Sequence, residues 1–551
     1  MERIWQKQYQ QDVPYEIDLS QYASINELFT AACRQFNDKS AYVNMGSTLT
    51  YGELDELSRQ FAVYLQQSGL QKGDRVAIMM PNLLQYPIVL FGILRAGLVA
   101  VNTNPLYTPD EVIHQMNDSG AHALVVLSNF AHTVQKALPH MPGLKQIIVT
   151  DIGDVFAPVK RFLVNFAVRY IKKMVPAYKL LNTIQFKQAL NLGSKKQLNT
   201  VPLNHEDIAF LQYTGGTTGV GKGAMLTHGN MIANVLQATS WLKPLKLNSQ
   251  EIIITALPLY HIFSLTANCL TFLQLGAKNI LITNPRDLTQ FIKEIKHAQF
   301  TAITGVNTLF NGLLHHPQFD EIDFSKLKLA LAGGMSLNEK VSTAWKDKTG
   351  SPVLEAYGLT ETSPAVTINP MYLHDYNSSI GLPLPSTDIS IRNDEGVALP
   401  IGEKGELCVK GPQVMPGYWQ KADETKLVFW DDGFLRTGDI ATVDEQGFVY
   451  LVDRKKEMIV VSGFNVYPNE VEQVISVLPG VLEVGVIGIP DDDGGEKVKA
   501  CIVKEDEKIA KDAVIAHCRE HLTAYKVPKI IEFYQELPKS NVGKILRRAL
   551  K

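Results

Sequence analysis

The chain has 551 residues, 45% of them hydrophobic and 20% charged, with a formal net charge of −3. That length exceeds what a single hydrophobic core supports, and the charge balance excludes a dedicated nucleic-acid binder, so at least two domains and no nucleic-acid partner are expected. The five cysteines, Cys33, Cys269, Cys408, Cys501 and Cys518, form no C-x-x-C pair, which fits free thiols in a reducing compartment better than a disulfide framework or a zinc site. The N-terminal stretch is polar, and the richest apolar run, 87–101, is interrupted by Arg95. Neither an export signal nor a membrane span is predicted, and the cytoplasm is the default location.

In chain order, Leu28, Ala32 and Phe36, then Leu54, Leu57, Phe61 and Leu65, fall at helical spacing. Short apolar runs at 75–80, 98–102, 123–127 and 146–150 alternate with helical stretches at 82–95 and 109–118, the pattern of a parallel α/β sheet covered on both faces. Segment 155–180 carries Lys160, Arg161, Arg169, Lys172, Lys173 and Lys179 without an acid, and Val159, Phe162, Leu163, Phe166, Tyr170, Ile171 and Met174 recur at helical spacing. A basic amphipathic helix is predicted there. It either lies in a membrane interface or packs on the core with a solvated basic side. A second α/β set is predicted from strands at 251–256, 279–283, 300–305 and 328–332. Beyond Gly402 short strands and turns indicate a β-rich subdomain. After the charged Asp453-Arg-Lys-Lys stretch, strands at 484–489 and 498–503 and helices at 469–478 and 511–521 make up a small α+β domain. The expected division is 1–452 and 453–551, with a hinge at Asp453.

Between the two α/β sets, residues 213–224 read Y-T-G-G-T-T-G-V-G-K-G-A. Gly215, Gly216, Gly219 and Gly221 let a backbone bring its N–H groups against an anion, Thr214, Thr217 and Thr218 add hydroxyl donors, and Lys222 adds a charge. The run from Gly216 to Lys222 matches the start of a Walker A loop, but Gly223 stands where that motif needs Ser or Thr for Mg²⁺. The following residues also read as a strand end and a turn, with a helix only from about Asn230, whereas a Walker loop opens its helix at once.

The stretch resembles instead the threonine- and glycine-rich signature of the adenylate-forming superfamily, the acyl-CoA synthetases, luciferase and peptide synthetase adenylation domains. Gly221 occupies a position where that family usually has proline. The resemblance extends through A-L-A-G-G-M at 330–335, E-A-Y-G-L-T-E-T at 355–362, Tyr418, T-G-D at 437–439, D-R-K at 453–455 and P-K-S-N-V-G-K at 538–544, in the family's order. It implies a large N-terminal domain of two α/β subdomains plus a β-rich subdomain, and a small mobile α+β C-terminal domain.

The resemblance also implies roles. Thr214, Gly215, Gly216, Thr217, Thr218, Gly219 and Lys222 would cradle the phosphates of ATP. Gly333 and Gly334 would border the purine, Tyr357 would stack on it with Gly358 beside it, and Asp439 would take the ribose hydroxyls with help from Arg454. Carboxylates suit a diol because they only accept hydrogen bonds. Thr360 would contact the α-phosphate and Glu361 would hold Mg²⁺. His261, within L-P-L-Y-H-I-F, would sit where the substrate carboxylate approaches, Lys544 would be the catalytic lysine, and Gly463 would border the pantetheine arm of coenzyme A.

Residues 431–455 and 461–470 are similar to the bacterial long-chain fatty acid–CoA ligases, which implies fatty acid, ATP and coenzyme A as substrates. A ligase for an aryl or medium-chain acid, a phosphate-loop NTPase and a non-catalytic nucleotide-binding scaffold are the alternatives. Acyl length, a homodimeric state and peripheral contact of 155–180 with the inner face of the cell membrane are left open by the sequence.

Overall fold

The computed structural model describes residues 3–181, 183–214, 221–461, 464–491, 495–540 and 543–550. The first series of aliphatic runs forms a seven-stranded sheet in the order Thr183–Gln185, Gln146–Thr150, Ala123–Leu127, Arg75–Met79, Val99–Asn102, Ile208–Thr214 and Lys222–Thr227. All neighbours are parallel except the last pair. Strands buried on both faces need no polar alternation, and Ala123–Leu127 is accordingly apolar and buried throughout.

The second series forms a nine-stranded sheet whose parallel centre runs Val353–Gly358, Leu329–Gly333, Ala302–Gly305, Ile252–Thr255 and Lys278–Leu281. Its far edge is a hairpin, Ser40–Asn44 with Ser47–Thr50, that pairs with Lys278–Leu281. The sequence shows this stretch only as a link between two helices. Those helices, Ile25–Gln35 and Tyr51–Gln67, form where expected, the second started by a capping box of Thr50 and Glu53.

An antiparallel four-stranded sheet follows, Asp388–Arg392, Gly405–Lys410, Leu435–Val443 and Val449–Arg454. The N-terminal segment is laced to this region and to the adjoining edge of the large sheet. Arg3 Nε donates to Asp388 at 2.6 Å, the Tyr9 hydroxyl donates to Pro383 O at 2.6 Å, and Met371 N donates to the Gln10 side chain at 2.7 Å. Trp5 is fully buried against Gly447, where a Cβ would stand 2.5 Å from Trp5 Cβ.

The last hundred residues build a three-stranded sheet of Val481–Pro490, Glu496–Lys504 and Ile530–Tyr534, packed by helices Pro468–Ser476 and Lys511–His521. It has its own apolar core around Val471, Ile475, Val486, Ala500 and Val514. Asp453 and Arg454 still pair with Ile440 and Asp439, so the expected boundary residue lies in the last strand of the four-stranded sheet.

The basic segment differs from expectation in extent and in orientation. The α-helix spans only Pro158–Phe166 and passes into a π-turn, Ala167–Ile171, and no regular helix continues to residue 180. Its core-facing side is narrow: Val164 and Val168 pack inward, and Asn165 Oδ1 accepts Gly153 N at 2.8 Å. The rest of its apolar residues face outward.

Candidate active site

Three strands of the two large sheets bring motif residues to the centre with their carboxyl ends, where parallel sheets leave a crevice. Gly333 ends Leu329–Gly333, Tyr357 and Gly358 end Val353–Gly358, and Thr214 ends Ile208–Thr214. Gly358 is required by close approach: a Cβ there would lie 1.9 Å from Pro364 O. A cavity of about 1880 Å³ opens at these ends, and Thr214, Gly333, Tyr357, Asp439, Arg454 and Lys544 all line it.

The end of the cavity around Asp439 is built from three elements. Asp439 is 3% exposed, accepts the Tyr357 hydroxyl at 2.6 Å and faces Arg454 Nε at 3.4 Å. Burial pushes its carboxyl above the usual range although Arg454 opposes the shift. Tyr357 is thereby fixed through its hydroxyl, which leaves the ring as a wall of the cavity.

Glu361, in the turn Thr360–Thr362, accepts the Tyr418 hydroxyl on Oε1 at 2.7 Å, and its carbonyl accepts Met415 N at 2.8 Å. Tyr418 is brought there by a strand-like bridge to Ala224, so strand Lys222–Thr227 is stitched to the Glu361 turn. This pairing is invisible in the sequence, where Tyr418 is only an isolated motif residue. The carboxylate keeps a second oxygen, which is the donor type a hard cation prefers.

Thr214 and Lys222 face each other across an antiparallel hairpin. The intervening Gly215, Gly216, Thr217, Thr218 and Gly219 lie outside the described residues, as does Gly463. After the loop comes strand Lys222–Thr227 and only then helix His228–Trp241, the order that separates this loop from a Walker A motif. Lys222 is ion-paired with Glu424 and lies 5.3 Å from the Tyr418 ring centre.

His261 lines the cavity, and its Nδ1 accepts Phe263 N at 3.4 Å. Burial pushes the imidazole down to about 4, so at neutral pH it is uncharged and Nε2 carries the proton. The wall beyond it is apolar, with Leu257, Phe263, Ala267, Phe272 and Leu331.

Lys544 comes from the C-terminal segment that follows Asp453. Its loop docks on the large sheet's helix Asn307–Leu314 through Thr308 Oγ1, which donates to Gly543 O at 3.2 Å. Gly543 has φ +83°, and a Cβ there would stand 2.6 Å from Thr308 Oγ1, so both conformation and space demand glycine. Burial and then Arg454 push the Lys544 ammonium down to about 8. Arg547 ties this loop to the end of the four-stranded sheet and to helix Pro468–Ser476: it donates to Glu472 at 3.0 and 2.8 Å, to Asn469 at 2.5 Å and to Asp453 at 3.5 Å, and pairs with Glu457. In the sequence Arg547 is one cation of a basic tail, and no local spacing marks it for this role.

The structure thus brings Gly333, Gly334, Tyr357, Gly358, Thr360, Glu361, Asp439, Arg454, His261, Thr214, Lys222 and Lys544 to one cavity. The model of the AMP-binding enzyme family matches residues 29–419, and that of the AMP-binding enzyme C-terminal domain matches 470–544. A long-chain-fatty-acid–CoA ligase of Yersinia pestis is 54% identical over 100% of this chain and 98% of its own length, and one of Haemophilus influenzae is 53% identical with the same coverage. A benzoate CoA ligase from Burkholderia xenovorans superposes with a TM-score of 0.82 at 25% identity, covering 96% of this chain and 99% of that one. On the two family models and the full-length relatives, the chain belongs to the AMP-binding enzymes, the adenylate-forming family.

Proposed function

We propose that this chain activates fatty acids as coenzyme A thioesters. It is a long-chain fatty acid–CoA ligase: a fatty acid carboxylate attacks the α-phosphorus of ATP, pyrophosphate leaves, and the thiol of coenzyme A then takes the acyl group and releases AMP. A carbon–sulfur bond is formed overall. The observation that carries this reading is a single cavity with Asp439, Arg454 and Lys544 at one end and an apolar wall of Leu257, Phe263, Ala267, Phe272 and Leu331 at the other. The full-length relatives named as long-chain-fatty-acid–CoA ligases support the same substrate class.

Within this reading the Lys544 cation stands where two anions, carboxylate and polyphosphate, must meet, and it lowers the barrier by neutralising their repulsion. Neutral His261 offers its Nε2 proton to the carboxylate without adding a charge, and Thr360 offers its hydroxyl to the α-phosphate. Asp439 accepts the ribose hydroxyls. Glu361 is the residue that would hold Mg²⁺, since Tyr418 engages only one of its oxygens. When bound, the ion supplies charge neutralisation on the polyphosphate. The division at 452/453 makes Asp453 the hinge, and burial holds its carboxyl up to about 6. Turning the C-terminal domain there would replace Lys544 with the Ser462-Gly463-Phe464 segment for the thioester step, with Gly463 leaving room for the pantetheine arm.

A pyrophosphate-release assay over fatty acids of increasing length, with and without coenzyme A, tests this function. Release should depend on the fatty acid, favour long chains over aryl and medium-chain acids, and turn over repeatedly only with coenzyme A. Release of phosphate in place of pyrophosphate would overturn the reading, and an aryl acid as best substrate would reassign the acid.

A second, compatible reading is peripheral membrane contact through 158–174. Among the described residues no helix is long and apolar enough to cross a membrane. Yet Val159, Phe162, Leu163, Tyr170 and Ile171 are 59–74% exposed, an apolar run followed directly by the exposed cations Lys172 and Lys173, with Lys179 exposed further along the chain. Phe166 joins its neighbours in a row, with ring centres 6.0 Å from Phe162 and 5.1 Å from Tyr170. Two of the cations that the sequence offers for lipid are already engaged: Arg169 pairs with Asp151 at 3.1 Å and Lys160 binds Met45 O. Free cations near anionic lipid contribute about 1 kcal/mol each. Changing Lys172, Lys173 and Lys179 to Gln should therefore release the protein from anionic vesicles in flotation while activity on detergent-dispersed substrate is kept. Equal flotation of both proteins would remove the lipid role.

A further inference from the structure

Far from the cavity, helix Lys511–His521 presents His517, Glu520 and His521 on one face, as three- and four-residue spacing requires. The ligand atoms of these three side chains lie within 4.8 Å of one another, and among the described residues they are the one such group of His, Cys, Asp or Glu. The two imidazole ring centres are 4.6 Å apart. Glu520 and His521 are exposed and His517 is half-buried, so the group is open to solvent yet anchored on one side.

The anchor is informative. His517 Nε2 lies 2.9 Å from Val474 O, and a carbonyl only accepts, so Nε2 carries the ring proton. His517 therefore presents the lone pair of Nδ1. Metal-ligating histidines are held in this way, one ring nitrogen donating to a backbone carbonyl while the other binds the ion.

We propose that His517, Glu520 and His521 form a binding site for a divalent transition-metal ion of the zinc class, separate from the Mg²⁺ that accompanies ATP. Two imidazoles and a carboxylate favour Zn²⁺, Co²⁺, Ni²⁺ or Cu²⁺ over Mg²⁺, whose preference is for oxygen alone. Three protein ligands leave a fourth tetrahedral position to water. Ligands of such an ion stand roughly 3.3 Å apart at bond lengths of ~2.0 Å, so the group needs to close by at most about 1.5 Å, a movement open to the exposed Glu520 and His521 side chains by rotation. The ion would tie this helix through His517 to helix Pro468–Ser476, which carries Asn469 and Glu472, two partners of Arg547.

The test is calorimetric titration of the untagged full chain with ZnCl₂, repeated with CoCl₂, in millimolar Mg²⁺ that saturates oxygen sites. One equivalent should bind, and the melting temperature should rise with Zn²⁺ concentration, since an ion that binds only the folded state stabilises it. The double variant H517A/H521A should lose this equivalent, weakening binding by more than the ~100-fold that loss of an outer partner can cost. The single variant E520Q should bind more weakly than the parent while its melting temperature without metal is unchanged. Acyl-adenylate formation without added zinc should be the same in all three proteins. Absence of binding by the parent chain, or an unchanged equivalent in the folded double variant, would overturn the site, and neither result bears on the ligase reading.

Discussion

Replacing Lys544 with alanine should lower acyl-adenylate formation by ~10²-fold or more, the loss that follows from removing one preorganised charge at developing anionic centres. Conversion of supplied acyl-adenylate to the thioester should survive, because in the hinge scheme this lysine is withdrawn before coenzyme A reacts. The two half-reactions are measured separately, by pyrophosphate release and by thioester formation. A folded variant that loses both equally would exclude the two-conformation scheme. The pH profile provides a second check on the same residue. Burial and Arg454 hold the Lys544 ammonium down to about 8, so its cation is intact below that pH and is lost above it. The adenylation rate of the parent chain should fall as pH rises through this region, and the alanine variant should not show that limb. The loop's fit offers a control within the structure: Gly543 and Thr308 seat it on helix Asn307–Leu314, so the cation arrives on a fixed backbone.

The second large effect is expected at Asp439. Two ribose hydroxyls donating to an ionised acceptor contribute ~1.5–3 kcal/mol each, so Asp439→Asn should raise the KM for ATP by ~10²-fold and leave kcat much less affected. Stability should move the other way. Burial raises the Asp439 carboxyl in the folded protein despite Arg454, so the ionised form is disfavoured by folding, and stability is lost as pH rises from the unfolded value through the folded one. At neutral pH the aspartate is a cost, and the amide should melt at the same temperature or higher. A sharp drop in melting temperature, with ATP affinity unchanged, would make Asp439 a structural residue. If ATP affinity falls while the melting temperature holds, Asp439 is a buried charge kept for its ligand and not for the fold.

Much of this architecture can be read from the sequence where local pattern and final environment coincide. Strands Ala123–Leu127 and Gln146–Thr150 lie at their expected positions because β-branched and aliphatic runs between turns have few other ways to bury both faces. Helix Lys511–His521 also matches its expected bounds. The hairpin of Ser40–Asn44 and Ser47–Thr50 is not legible, since its parallel neighbour Lys278–Leu281 is supplied by another part of the chain. Nor is the shortening of the basic helix, because the pattern of apolar spacing continues past Phe166 while the backbone widens into a π-turn.

At the site, motif residues are legible one by one, whereas their couplings are tertiary. Tyr418 on Glu361, Lys222 on Glu424 and Arg547 on Asp453 each join distant segments, and no local spacing encodes them. The exposure of Phe162 and Ile171 is likewise a property of what surrounds them, since helical amphipathy is the same for a face that meets core, lipid or water.

The lacing of the N-terminal segment has a consequence for how the protein is made. Arg3 and Asp388 are separated by 385 residues, so during synthesis Arg3, Trp5 and Tyr9 wait for their partners until most of the chain has emerged. At ~5–20 residues per second that interval is on the order of 20–80 s, far longer than helix or hairpin formation takes. Throughout it Trp5 has no pocket, because Gly447 is not yet made. The seven-stranded sheet can assemble meanwhile from residues 75–227, and closure of this strap is a late event in biogenesis. Nascent chains arrested before residue 388 should accordingly expose the first twenty residues to protease, and chains released at full length should protect them.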